Sequence, residues 1–87
     1  MPTPTRAPQM AWQTVDGELV LLNIDGRELL GLNEVGARIW ELADGEHDLA
    51  AIAAALTAEF EVSAEEATAE VERFVAELEA AGALVVE

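Results

Sequence analysis

There is no cysteine in the 87 residues, and no lysine or tyrosine. Without thiols the chain can form no disulfide, no thiolate zinc site and no thiol nucleophile, and its one histidine, His47, has no second imidazole with which to share a metal. No glycine-rich phosphate loop or dinucleotide fingerprint accompanies the carboxylates, so neither a metal nor a cofactor is expected. Long apolar runs are missing too: nothing approaches the roughly 18 residues that a membrane span needs. Residues 1–8 lack the apolar stretch of a signal peptide, which leads to an expected cytoplasmic location.

Positive charge is scarce. Four arginines face 18 acids, a formal net charge of −14. Residues 1–45 carry seven acids and three arginines, whereas residues 46–87 carry eleven acids and only Arg73. Nucleic acid and anionic membrane surfaces both draw on cationic side chains, so neither is an expected partner. A partner of the acidic half should be neutral or basic; the plainer alternative is that the charge keeps a small protein soluble.

What is present is 52% apolar residues, enough for one small core in one domain. A chain of this size has room for a shallow groove rather than a deep reaction chamber, and no nucleophile or acid–base constellation stands out, so an enzyme is not expected. His47 lies in the connection Gly45-Glu46-His47-Asp48 and reads as a loop residue. The acids Glu59, Glu61, Glu65 and Glu66 lack the Asp-rich, Gly-centred loop of a calcium site, and the Asp-Ser-Leu of an acyl carrier is absent because Asp48 precedes Leu49 directly.

Along the chain, the Pro-punctuated segment Met1 to Pro8 is expected to be flexible, and a single domain to occupy residues 9–87. Asp16-Gly17 and Asp25-Gly26, nine residues apart between apolar segments, are tight-turn signals and predict a three-stranded antiparallel meander. Two-residue turns set a register with Trp12, Leu21 and Leu30 in one row and Ala11, Leu22 and Leu29 on the opposite face. Both faces are apolar, so the second should meet helices, another chain or a ligand. Asn33, Asp48 and Ser63 each suit a helix N-cap, Ser63-Ala64-Glu65-Glu66 reads as a capping box, and Gly82 suits a helix stop. The three helices carry apolar stripes: Val35, Ile39, Leu42 and Ala43; Leu49, Ile52, Ala53, Leu56 and Phe60; Ala67, Val71, Phe74, Val75 and Leu78. Trp40 is expected to anchor the core with its indole N–H near the surface. Leu84-Val85-Val86 reads as a short extended tail.

The fold class is therefore α+β, a three-stranded antiparallel meander followed by three helices, with a winged helix-turn-helix inventory. DNA binding, the usual use of that inventory, lacks its chemistry. The last helix sets Glu65, Glu66, Glu70, Glu72, Glu77 and Glu79 against the single Arg73.

The stretch Leu21-Leu22-Asn23, then Gly31-Leu32-Asn33-Glu34-Val35-Gly36-Ala37-Arg38-Ile39-Trp40-Glu41-Leu42, then Asp44-Gly45 resembles the PqqD-like family. Its members read L-N-x-x-A-x-x-I-W-x-L-x-D-G, followed by helices carrying I-x-x-x-L-x-x-x-F and V-x-x-F-x-x-x-L-x-x-x-G-L. Here these are Ile52, Leu56 and Phe60, then Val71, Phe74, Leu78 and Gly82, with Leu84 one position late. The resemblance spans about Leu19 to Val86 and departs at Gly36, where the family more often has Ala or Thr.

The resemblance implies a peptide-binding chaperone of ribosomally made, post-translationally modified peptide pathways. It would hold the leader segment of a precursor as an added strand beside the third strand of the meander, and present it to a modifying enzyme, frequently a radical S-adenosylmethionine protein. Residue chemistry points the same way: the third strand is an edge unless the C-terminal tail covers it, and an unpaired edge is a template for another strand. The candidate peptide-binding residues are Glu28, Leu29, Leu30, Gly31 and Leu32 on that strand, and Glu70, Val71, Arg73, Phe74, Glu77 and Leu78 on the last helix. The same apolar side chains also suit a plain core, and a structural or dimerising module stays open, so the chain is expected as a monomer or homodimer.

Overall fold

The computed structural model describes residues 3–8, 10–16, 18–23 and 28–87. Its elements are β1 (Pro4–Arg6), β2 (Met10–Val15), β3 (Glu18–Asn23), β4 (Glu28–Leu32), α1 (Glu34–Leu42), α2 (Leu49–Glu59), α3 (Ala64–Ala80) and β5 (Leu84–Val86). The meander is β2-β3-β4, antiparallel throughout, in the register the two turns imply: Trp12 opposes Leu21 and Leu21 opposes Leu30, while Ala11 opposes Leu22 and Leu22 opposes Leu29. At the first turn Asp16 adopts φ 52°, the left-handed conformation a tight hairpin turn requires. The Asp25-Gly26 turn lies outside the described residues.

Each helix begins on its expected cap. Asn33 Oδ1 accepts from the Gly36 amide at 2.8 Å, Asp48 Oδ1 from Ala51 at 2.8 Å and Ser63 Oγ from Glu66 at 3.1 Å. At the far end of α3 the Ala83 amide donates to the Leu78 carbonyl and the Gly82 amide to that of Glu79, with Gly82 at φ 79°. This paired closure needs a left-handed residue, which glycine supplies without steric cost. The apolar stripes of the three helices converge with Leu19, Leu21 and Leu32 of the sheet on a core around Trp40, Ile39, Ile52, Leu56 and Val71.

Two expectations are corrected. The segment expected to be flexible contains a strand: β1 pairs antiparallel with β5, Pro4 against Val86 and Arg6 against Leu84, and the Ala7 amide donates to the Ala83 carbonyl at 2.9 Å. The reason is the C-terminal tail, whose apolar residues and unpaired backbone need a partner; β1 satisfies both, with Pro4 at the strand's start, where its missing N–H is tolerated, and fully buried. Trp40 is wholly buried, and its Nε1 finds no hydrogen-bond partner among the described residues. Its ring is held edge-on against Trp12, centroids 5.4 Å apart, so packing rather than solvent decides its orientation.

The sheet covers only one of its apolar faces. Leu21 is fully buried beneath the helices, whereas Val15, Leu22 and Leu29 on the opposite face are exposed. None of the chain's own helices meets that second face.

Candidate functional site

Because β5 pairs with β1, nothing described covers the outer edge of β4, which bonds to β3 alone. In an antiparallel pair, alternate residues turn their backbone groups away from the partner, so β4 offers a row of donors and acceptors to a further strand. Beside this edge runs α3, and between them lies a cleft of about 240 Å³. Leu30, Gly31 and Leu32 form its sheet side, and Phe74 and Leu78 form its apolar helix side. Both walls follow from periodicity. Alternate residues of β4 face the helices, and Phe74 and Leu78 are four apart on one face of α3.

The rim is charged. Arg73 Nη2 reaches both carboxylate oxygens of Glu70 at 2.7 and 2.8 Å, with Glu77 lining the cleft on the same helix. The hydrogen bond to Glu70, then the fields of Glu70 and Glu77, raise the Arg73 pKa above its ordinary value, so the guanidinium stays charged. Two carboxylates against one cation leave the rim negative, and the pair stands in solvent, free to open toward an incoming charge.

Eight of the sequence-derived candidates thus share one cleft: Leu30, Gly31, Leu32, Glu70, Arg73, Phe74, Glu77 and Leu78. Two others do not take part in its lining. Leu29 is 69% exposed on the opposite face of the sheet, as alternation along a strand dictates. Val71 is 1% exposed and belongs to the core beneath the cleft. Glu28 lies at the start of β4, and its side chain is outside the described residues.

Asn33, Gly36 and Ala81 line the cleft as well, beyond the sequence-derived candidates. Gly36 alone carried a signal, a glycine early in a helix where an ordinary helix former would serve, which usually marks close packing. A separate hollow of about 310 Å³ shares Asn33, Glu70 and Arg73 with the cleft and reaches Val35, Phe60 and Val62.

A larger hollow, about 510 Å³, lies along another face of α1, walled by Trp12, Leu19, Ala37 and Phe60 and edged by Glu34, Arg38 and Glu41. Arg38 is already engaged, its Nε bonding Glu59 at 2.8 and 3.0 Å, and this bond is the main cause that raises its pKa. The β4 cleft is the better candidate despite its smaller volume, because it joins open backbone to apolar walls. Among the described residues no group of three His, Asp or Glu is placed to hold a metal ion, and no helix is long and apolar enough to cross a membrane.

A family model described as coenzyme PQQ synthesis protein D, PqqD, matches residues 18–84. The chain belongs to the PqqD family. Among solved structures, TbiB1 in complex with the TbiA(beta) leader peptide is 26% identical, with a TM-score of 0.83, covering 92% of this chain and 93% of that one. Lasso peptide synthetase B1 complexed with the leader peptide is 27% identical, with a TM-score of 0.85, covering 94% and 96%. No curated protein sequence matches. The PqqD-family match begins at Glu18, on the first residue of β3, and ends at Leu84 in β5, so it takes in both walls of the cleft.

Proposed function

We propose that this chain is a peptide-binding chaperone that captures the leader segment of a ribosomally made precursor by adding it as a strand to β4, and presents the precursor to a modifying enzyme. The observation that carries the reading is the unpaired edge of β4 set against an apolar cleft. A strand laid on that edge gains main-chain hydrogen bonds regardless of its sequence, and every second side chain enters the cleft, where size and shape select it. Both similar structures hold leader peptides, which supports the same class of ligand here. The modifying enzyme, a radical S-adenosylmethionine protein in many such pathways, would supply the chemistry, and this chain the selection.

The test is titration of the ¹⁵N-labelled protein with candidate leader peptides, taken from whatever short reading frames neighbour its gene. Amide shifts are expected at residues 28–32 and 70–78; shifts confined to α2 would overturn the reading. The exposed Val15, Leu22 and Leu29 favour a second reading, self-association through the outer sheet face. Like charges on two copies of a chain at −14 oppose it, and sedimentation at low and high salt distinguishes the two.

A further inference from the structure

Gly36 sits in the first turn of α1, three residues after its cap. Its backbone does not require glycine, since the only glycines described with positive φ are Gly45 and Gly82. Helix propensity alone favours alanine there. What alanine would meet is the neighbouring helix: a Cβ built on Gly36 lies 2.9 Å from Phe74 Cε2 and 3.3 Å from Phe74 Cζ, with Asn33 Oδ1 also at 3.3 Å. The edge of the Phe74 ring therefore rests against bare α1 backbone. With a methyl group in that space the ring must move. Behind it α3 is closed by Val71 and Val75, 1% and 4% exposed, and the open direction is the cleft that Phe74 lines.

We propose that Gly36 is a specificity-determining residue: by letting the Phe74 ring settle against α1 it keeps the β4–α3 cleft deep enough for a bulky apolar side chain, branched or aromatic, of the bound strand. An alanine at this position would raise the ring into the cleft and leave room for a small side chain only. The inference rests on the reading of the cleft as a peptide site and adds to it the size class of the side chain admitted. Gly36 touches the ligand only through Phe74, so its role is to position that ring.

The experiment uses the full chain, its Gly36→Ala variant and the double variant Gly36→Ala/Phe74→Leu, with peptides built on those candidate leaders in which each position in turn is Ala, Leu or Phe. The wild type is expected to prefer Leu or Phe at one position. Gly36→Ala should lose that preference by about ten-fold or more, the scale on which a filled pocket discriminates side-chain size, while binding the Ala peptide nearly as well. The shorter leucine side chain that the double variant carries in place of the ring should restore the preference, a rescue that a merely destabilised cap does not give. In the free proteins, the nuclear Overhauser contact between the Phe74 ring and the Gly36 α-protons should be replaced in the single variant by contacts of the ring to Leu30. Unchanged peptide ranking with an unmoved ring overturns the inference and leaves the peptide site standing. Failure of the wild type to bind any of the peptides overturns both.

Discussion

The Arg6 guanidinium donates from Nη1 to the carbonyl oxygens of Trp40 and Glu41, at 3.0 and 2.9 Å. A residue of β1 thereby closes the C-terminal end of α1, which has no basic residue of its own in its last turn. The same guanidinium lies 5.3 Å from the centre of the Trp12 ring, so one side chain ties β1, α1 and β2 together. Removing it with Arg6→Ala should cost about 1–2 kcal/mol from the lost charged hydrogen bonds and cation–π contact, lowering the melting temperature by roughly 5–15 °C in a domain of this size. Arg6→Lys should recover only part, because an ammonium can donate to both carbonyls as Nη1 does but lacks the planar guanidinium that lies against the Trp12 ring. Thermal unfolding followed by circular dichroism measures both.

Disruption of β1 should be felt at β5. Thr5→Pro removes a backbone donor from a three-residue strand, and the amides of Val85, which faces Thr5, and Glu87, which donates to Thr3, should then lose hydrogen-exchange protection while those of α3 keep theirs. Uniform loss along the chain would mean that the small sheet and the helical core unfold as one unit.

Val71 and Leu29 are both peptide-binding candidates of the sequence, one on the last helix and one on the edge strand, whereas their burial predicts opposite behaviour. Val71→Ala should destabilise the fold by about 2 kcal/mol through lost burial and the cavity left behind. Leu29→Ser should change stability by less than about 0.5 kcal/mol, as exposed substitutions generally do. Urea unfolding of the two variants checks the pair.

Asp44 accepts from the Glu46 amide and from His47 Nδ1, each at 2.9 Å, and these bonds hold its pKa below the ordinary carboxylate value, the Glu46 amide being the larger cause. A depressed carboxylate pKa in the folded state adds stability that is present above the unfolded value and fades as pH falls through the folded one. The turn after α1 should therefore loosen below about pH 4 and stay intact at neutral pH. The Glu46 amide shift followed by NMR should titrate there, and Asp44→Asn should abolish that titration.

Reversal of Glu70 and Glu77 to Lys should slow association with a leader carrying Lys or Arg, with little change in stability, because rim charges act mainly on the encounter rate. The difference should shrink near 0.15 M salt, where screening shortens the electrostatic reach to about 8 Å. Stopped-flow traces that coincide at low salt would make the acidity a solubility feature.

The meander's register was legible because a side-chain period of two and a two-residue turn leave no freedom in which residue opposes which: Trp12, Leu21 and Leu30 had to share a row. The helix starts were legible from Asn33, Asp48 and Ser63, whose oxygens bond locally. The β1–β5 pair was not, since three residues show no periodicity and their partners lie some eighty positions away. Nor does an apolar stripe say which members meet the core and which a cleft. On α3, Val71 and Phe74 are three apart and diverge in burial because β4 leaves one flank of the helix open. Trp40 misled for a related reason, as a preference for wet indole nitrogens yields when a second tryptophan packs against the first.

The Thr3 amide donates to the Glu87 carbonyl at 2.8 Å, and the Glu87 amide to that of Thr3 at 3.2 Å. Residues 3 and 87 are thus neighbours in space, and the fold between them is very nearly a closed ring of chain. Such a ring can be spliced into a surface loop of another polypeptide by two adjacent junctions, or joined end to end and reopened at the exposed connection near Glu46, without unthreading the core. Neither place contributes a residue to the β4 cleft, whose walls come from residues 30–36 and 70–81, so either rearrangement carries both walls along as one unit.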